Sequence, residues 1–110
     1  MSRTELESIL DQLHDFATVR NWQSFHTPKN LSMALSVEAA ELMEIFQWLQ
    51  NGEQSELNDE QYQHAQQEVA DVFIYLLMLA DKLDIDILEA TKQKIMLNAE
   101  KYPADSTQQA

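Results

Sequence analysis

The sequence predicts an all-α protein, a four-helix bundle. Only one Gly and two Pro occur in 110 residues, too few turn formers for many short strands. Four segments instead place apolar residues at steps of three and four, joined by short polar stretches. That is the pattern of amphipathic helices sharing one core. The length fits a single domain over residues 1–110, with a core of about 4–103 and a frayed tail at 104–110.

The first helix is expected from about Thr4 to Arg20, with Ser2 and Glu5 as a capping-box pattern. Leu6, Ile9, Leu10, Leu13, Phe16 and Ala17 form its apolar stripe. NWQSFHTPKN, Asn21 to Asn30, reads as a loop. The second helix is expected from about Leu31 to Gln50, and the polar stretch Gln50 to Asp59, with the only Gly, as a connection. The third helix starts at Asp59 or Glu60 and runs to about Leu83. The fourth runs from about Ile87 to Tyr102, opened by Asp86 and Glu89 and ended by Pro103.

The formal net charge of −12 repels nucleic acid and anionic lipid over most of the surface, so neither is an expected partner. The longest apolar run, Val72 to Ala80, is about half of what a helix needs to cross a bilayer. It makes the third helix apolar nearly all round, more than one bundle face requires, so part of it should meet another copy of the chain. Cys is absent, which removes disulfides and thiolate metal sites. With no signal-peptide pattern at the start, the expected location is cytoplasmic.

The informative anomaly lies inside the second helix, in VEAAELMEIFQW, Val37 to Trp48. On a helical wheel Leu31, Leu35, Leu42, Ile45 and Leu49 fall within roughly 60° of Glu38. Glu38 therefore sits in the middle of an apolar stripe and Glu41 on its flank. The third helix repeats the device, with Ala65, Val72, Tyr75 and Leu79 around Glu68, and Asp71 on the flank. An unpaired carboxylate in an apolar setting is costly. Seven Lys plus Arg against nineteen acids are too few to pair them all. A divalent cation held by Glu38, Glu41, Glu68 and Asp71 accounts for both pairs. All-oxygen ligands favour Mg²⁺, or Mn²⁺, over zinc or iron. Mg²⁺ commonly binds with substrate phosphates, which points to a nucleotide or another phosphate ester. Glu44, Glu53, Glu56 and Glu60 read as solvated surface charge.

Thr91, Lys94, Asn98 and Lys101 follow one another along a face of the fourth helix. They suit a phosphate chain, or form an ordinary basic face near a helix C-terminus. Trp22, Phe25 and Trp48 either plug the core or stack on a base. His26 can donate to a base edge or a phosphate. Tyr75, one turn from Glu68 on the same face, is a candidate to reach the site or a core tyrosine.

Glu38-x-x-Glu41 and, after 26 residues, Glu68-x-x-Asp71 resemble the ExxE…ExxD signature of the MazG-like, all-α nucleoside triphosphate pyrophosphohydrolases. RNWQSFHTPKNL (Arg20 to Leu31), EIFQW (Glu44 to Trp48), EVADVFIYLL (Glu68 to Leu77) and the ending with Lys94, Asn98, Lys101, Tyr102 and Pro103 resemble its dCTP pyrophosphatase-like branch. The resemblance implies a four-helix fold assembled as a homodimer or dimer-of-dimers tetramer, with Mg²⁺ on the four acids. It implies hydrolysis of a deoxynucleoside triphosphate to monophosphate and pyrophosphate, as nucleotide-pool housekeeping. By position, Trp22, His26 and Trp48 would line the base and sugar pocket, and Tyr75, Lys94 and Asn98 would hold substrate. Lys101 stands where that branch tends to have Arg, which keeps the charge but not bidentate phosphate binding. Glu41 or Glu38 would orient or deprotonate the attacking water. Two other readings stay open here: a related pyrophosphohydrolase acting on another nucleotide, and a non-catalytic helical module whose acids bind a basic protein.

Overall fold

The computed structural model describes residues 2–104. The tail expected to fray lies outside them, except for Ala104. The described residues form four α-helices and two short 3₁₀ turns, with no strand among them. Helix α1 spans Arg3–Val19, α2 Pro28–Phe46, α3 Asp59–Lys82 and α4 Ile87–Lys101. The all-α class and the order of elements are those the sequence predicts.

The helix ends follow local chemistry. The Ser2 hydroxyl accepts from Glu5 N at 3.1 Å and the Asp86 carboxylate from Glu89 N at 3.1 Å. Each satisfies one orphan donor of a first turn. Asn58 and Gln61 complete a reciprocal capping box at the start of α3. Helix α1 stops where Asn21 turns left-handed at φ 57°, and α3 is followed by Asp84 at φ 54°. The chain closes behind each, with Trp22 N donating to Ala17 O at 3.0 Å and Ile85 N to Ala80 O at 2.8 Å.

Helix α2 departs from its expected bounds at both ends. It starts at Pro28, not Leu31, because Thr27 caps it through Asn30 N at 3.2 Å and Pro28 occupies the first turn. A missing N–H is harmless there. It ends at Phe46, not Gln50. The Glu56 carboxylate reaches back to accept Gln50 N at 3.0 Å, Asn51 N at 3.4 Å and Glu53 N at 2.7 Å. These donors belong to the connection between α2 and α3, and Glu56 holds it folded. Gly52 is left-handed at φ 74°, and a Cβ there would meet the Phe46 ring at 3.2 Å. Glu56, expected to be mere surface charge, is a structural anchor.

Helices α2 and α3 pack along each other and form the main body, with α1 against α3. The core comprises Leu6, Ala17, Leu31, Ala65, Leu77, Met78 and Ala80, with Leu31 and Leu77 the most enclosed large side chains. Helix α4 buries no residue, and Ile95, Met96 and Leu97 on it are exposed. An Arg3–Asp86 ion pair ties its start to α1. The radius of gyration is 16.9 Å, against about 13 Å for a compact domain of this length.

Candidate active site

The α2–α3 packing determines which acids meet. Glu38 and Glu41 lie one turn apart on α2, and Glu68 faces them from α3. Each offers a carboxylate oxygen within 4.8 Å of the others. Glu68 is the one buried charged residue among those described, at 7% exposure. Glu38 is half-buried and Glu41 stands at the open edge. Glu38 Oε2 and Glu68 Oε2 are both buried with no hydrogen-bond partner. An unsatisfied buried carboxylate oxygen is rare in a folded protein.

The electrostatics follow from that geometry. The Glu38 carboxyl is pushed above the usual carboxylate range, first by the close approach of the Glu68 carboxyl, then by burial and by the charges of Glu68 and Asp71. Glu41 is pushed up in the same direction, first by the close approach of the Glu38 carboxyl and then by that group's charge. Like charges this close cannot all ionise freely. The oxygens converge, two of them lack any other partner, and none of the donors is nitrogen or sulfur. The set fits a hard divalent cation.

Asp71, the fourth predicted acid, falls outside this three-acid group and lines a neighbouring cavity of about 330 Å³. That cavity is walled by Phe16, Trp22, His26, Tyr75 and Met78. It is within the range of small-molecule sites, mostly apolar with a few polar groups. Trp22 and His26 are held there by a fastened loop: Gln23 Nε2 donates to Thr18 Oγ1 at 2.7 Å and Asn30 Nδ2 to Phe25 O at 2.9 Å. The Trp22 ring meets Phe16 edge-on at 5.6 Å and His26 at 6.4 Å between centroids. Burial lowers the His26 pKa, helped by the Lys82 charge, so its neutral imidazole is favoured. Burial raises the Tyr75 hydroxyl, with the charges of Glu38 and Asp71 adding to it. Those charges tie the cavity to the acids electrostatically.

The other predicted substrate residues are elsewhere in the single chain. Trp48, just beyond α2, is 87% exposed and lines a separate cavity with Glu44, Gln61 and His64. Lys94, Asn98 and Lys101 lie on α4, outside both the acidic group and the aromatic cavity. Two residues were not predicted at the site. Phe16, expected in the α1 core stripe, is half-exposed and forms a cavity wall. His64 sets its Nε2 3.4 Å from Glu68 Oε1. Its i,i+4 spacing from Glu68 is the sequence signal that could have found it.

Two packed helices that bring carboxylates together beside an aromatic cavity define an all-α, acid-centred fold. The chain belongs to the MazG-like family, whose sequence pattern matches residues 33–110. It is 40% identical over 101 residues to human dCTP pyrophosphatase 1 and 38% identical over 100 residues to the protein of that name from Rattus norvegicus. These alignments cover 90% and 89% of this chain but 59% of each relative. The chain thus spans about three-fifths of the length of the curated relatives it matches. The crystal structure of a pyrophosphatase from Archaeoglobus fulgidus DSM 4304 superposes with a TM-score of 0.84 at 42% identity, over 94% of this chain and 96% of that one.

Proposed function

We propose that this chain hydrolyses deoxynucleoside triphosphates to the monophosphate and pyrophosphate, with a preference for dCTP. The observation that carries the reading is the pair of buried, unpartnered oxygens on Glu38 and Glu68, set against an aromatic cavity large enough for a nucleobase. The names of the relatives supply the substrate class. Glu38, Glu41 and Glu68, with Asp71 from the cavity side, would hold Mg²⁺, or Mn²⁺ in its place. When bound, such an ion supplies Lewis-acid stabilisation to the phosphoryl oxygens and the leaving pyrophosphate.

The chain's own residues do the rest. Trp22 and Phe16 stack against the base, and His26 donates to its edge or to the sugar. Asp71 and Tyr75 line the base cavity, and Tyr75 feels the charge of Glu38, so the sugar and α-phosphate would fall beside them. Glu41 or Glu38 takes a proton from water as its oxygen bonds to the α-phosphorus. The bond from that phosphorus to the bridging oxygen breaks, and pyrophosphate leaves with the electron pair.

The exposed apolar side chains of α4 and its separation from the body support a homo-oligomer, dimer or tetramer. In such an assembly Trp48, Lys94, Asn98 and Lys101 would reach substrate from another copy of the chain. The test is ion-exchange analysis of products from each of the four dNTPs, with Mg²⁺ and with EDTA. Monophosphate and pyrophosphate formed only with Mg²⁺, fastest from dCTP, is the expected result. Diphosphate plus orthophosphate would contradict the reaction, and equal rates on all bases would remove the dCTP preference.

A further inference from the structure

Every carboxylate of the acidic group must be oriented by something, and the chain offers little for the purpose. Among the described residues, the salt bridges join Arg3 to Asp86, His14 to Asp81 and His64 to Glu68. No Lys or Arg reaches the acidic group in them. His64 alone does, with Nε2 3.4 Å from Glu68 Oε1.

Glu68 has two unlike oxygens. Oε2 is buried and unpartnered, while Oε1 is the one facing the imidazole. His64 is four residues earlier on α3, one turn away, with its side chain 56% exposed. The Nε2–Oε1 separation is an ion-pair distance and not a made hydrogen bond; a small turn of the imidazole would bring a donor onto Oε1 and leave Oε2 for an ion. Either the Nε2–H tautomer or the imidazolium supplies the donor.

We propose that His64 is a positioning residue for Glu68: it holds Oε1 so that the buried Oε2 is presented to the cation. The proposal rests on the metal reading of the acidic group. Groups that hydrogen-bond a metal-ligating side chain typically change metal affinity by about 10–100-fold when removed. His64 does not line the cavity of Trp22 and Tyr75, so its loss should act first on the ion.

The test is calorimetric titration of Mg²⁺ into the full chain, without nucleotide, for the wild type, His64→Ala and His64→Gln. Each variant is first checked for unchanged helicity and thermal midpoint. The Gln amide can donate across the same turn. The expected result is Mg²⁺ binding about 10–100-fold weaker in His64→Ala, largely restored in His64→Gln. Equal Mg²⁺ affinity in wild type and His64→Ala would overturn the positioning role and leave the metal reading intact. Equal loss in both variants would overturn it in favour of a direct nitrogen ligand. No Mg²⁺ binding by the wild type would overturn the metal reading itself, and this proposal with it.

Discussion

Glu38 and Glu68 face each other across the α2–α3 interface, each with a buried Oε2 that no donor satisfies. In the absence of a cation this is a destabilising arrangement, because burial and like charge both disfavour ionisation. Replacing either by Gln removes the repulsion. Glu38→Gln and Glu68→Gln should each raise the thermal midpoint in EDTA, yet lower dNTP turnover by about 100-fold or more. A midpoint that falls in EDTA would mean that the carboxylates support the fold on their own.

The same relationship predicts a large stabilisation by Mg²⁺. An ion that binds only the folded chain adds about 2.7 kcal/mol at one hundred times its dissociation constant. The wild-type midpoint should rise with Mg²⁺ concentration, and those of the two Gln variants should not. A wild-type midpoint indifferent to Mg²⁺ would contradict the reading of the site.

Glu56 makes a separate prediction at acid pH. Its hydrogen bonds from the backbone N–H groups of Glu53, Asn51 and Gln50 hold its carboxyl below the usual carboxylate range. A depressed carboxyl contributes stability that is present above its unfolded pKa and is lost as pH falls through its folded value. Glu56→Gln should therefore be less stable than wild type at neutral pH, with the difference narrowing toward acid. Urea midpoints across pH measure it, and a constant difference at every pH would contradict it.

Trp22 forms a wall of the aromatic cavity, and stacking of a base on an aromatic ring is worth about 1–3 kcal/mol. Trp22→Ala should raise KM for dCTP by roughly 5–150-fold at 25 °C, with a smaller effect on kcat. An unchanged KM would place the base elsewhere.

Helix α4 should owe its place to a second chain. Ile95, Met96 and Leu97 are each more than half exposed in the single chain, and three successive residues spread over about 200° of the helix surface, so apolar side chains of α4 stay uncovered on more than one face. Sedimentation at micromolar concentration should give a dimer or tetramer, and Ile95→Glu with Leu97→Glu should shift it toward monomer. A monomeric wild type would contradict the assembly.

Much of the fold was legible because helical periodicity is a local signal. The order of elements, the burial of Leu31 and Ala65, and the meeting of Glu38 and Glu68 all follow from which residues share a helix face. The start of α2 was missed because Pro28 reads equally as a breaker and as a first-turn residue. The side-chain oxygen of Thr27 decides between them. Its end was missed because Glu56, six residues after Gln50, captures the backbone donors there, a contact that periodicity does not encode. Phe16, expected in the α1 stripe, was misplaced for a related reason. A helix face can be read locally, but which part of it lines a cavity depends on the neighbouring helix. Trp48, Lys94, Asn98 and Lys101 lie outside the acidic group and the aromatic cavity of the single chain, and periodicity does not encode that separation.

The most direct test of the proposed reaction is turnover of dCTP in ¹⁸O-labelled water with Mg²⁺, followed by mass spectrometry of both products. Water attacking the α-phosphorus places the label in the monophosphate and leaves pyrophosphate unlabelled. That is the result expected if the acids and the aromatic cavity position the α-phosphate between them. Label found in pyrophosphate would move the attack to the β-phosphorus and contradict that placement.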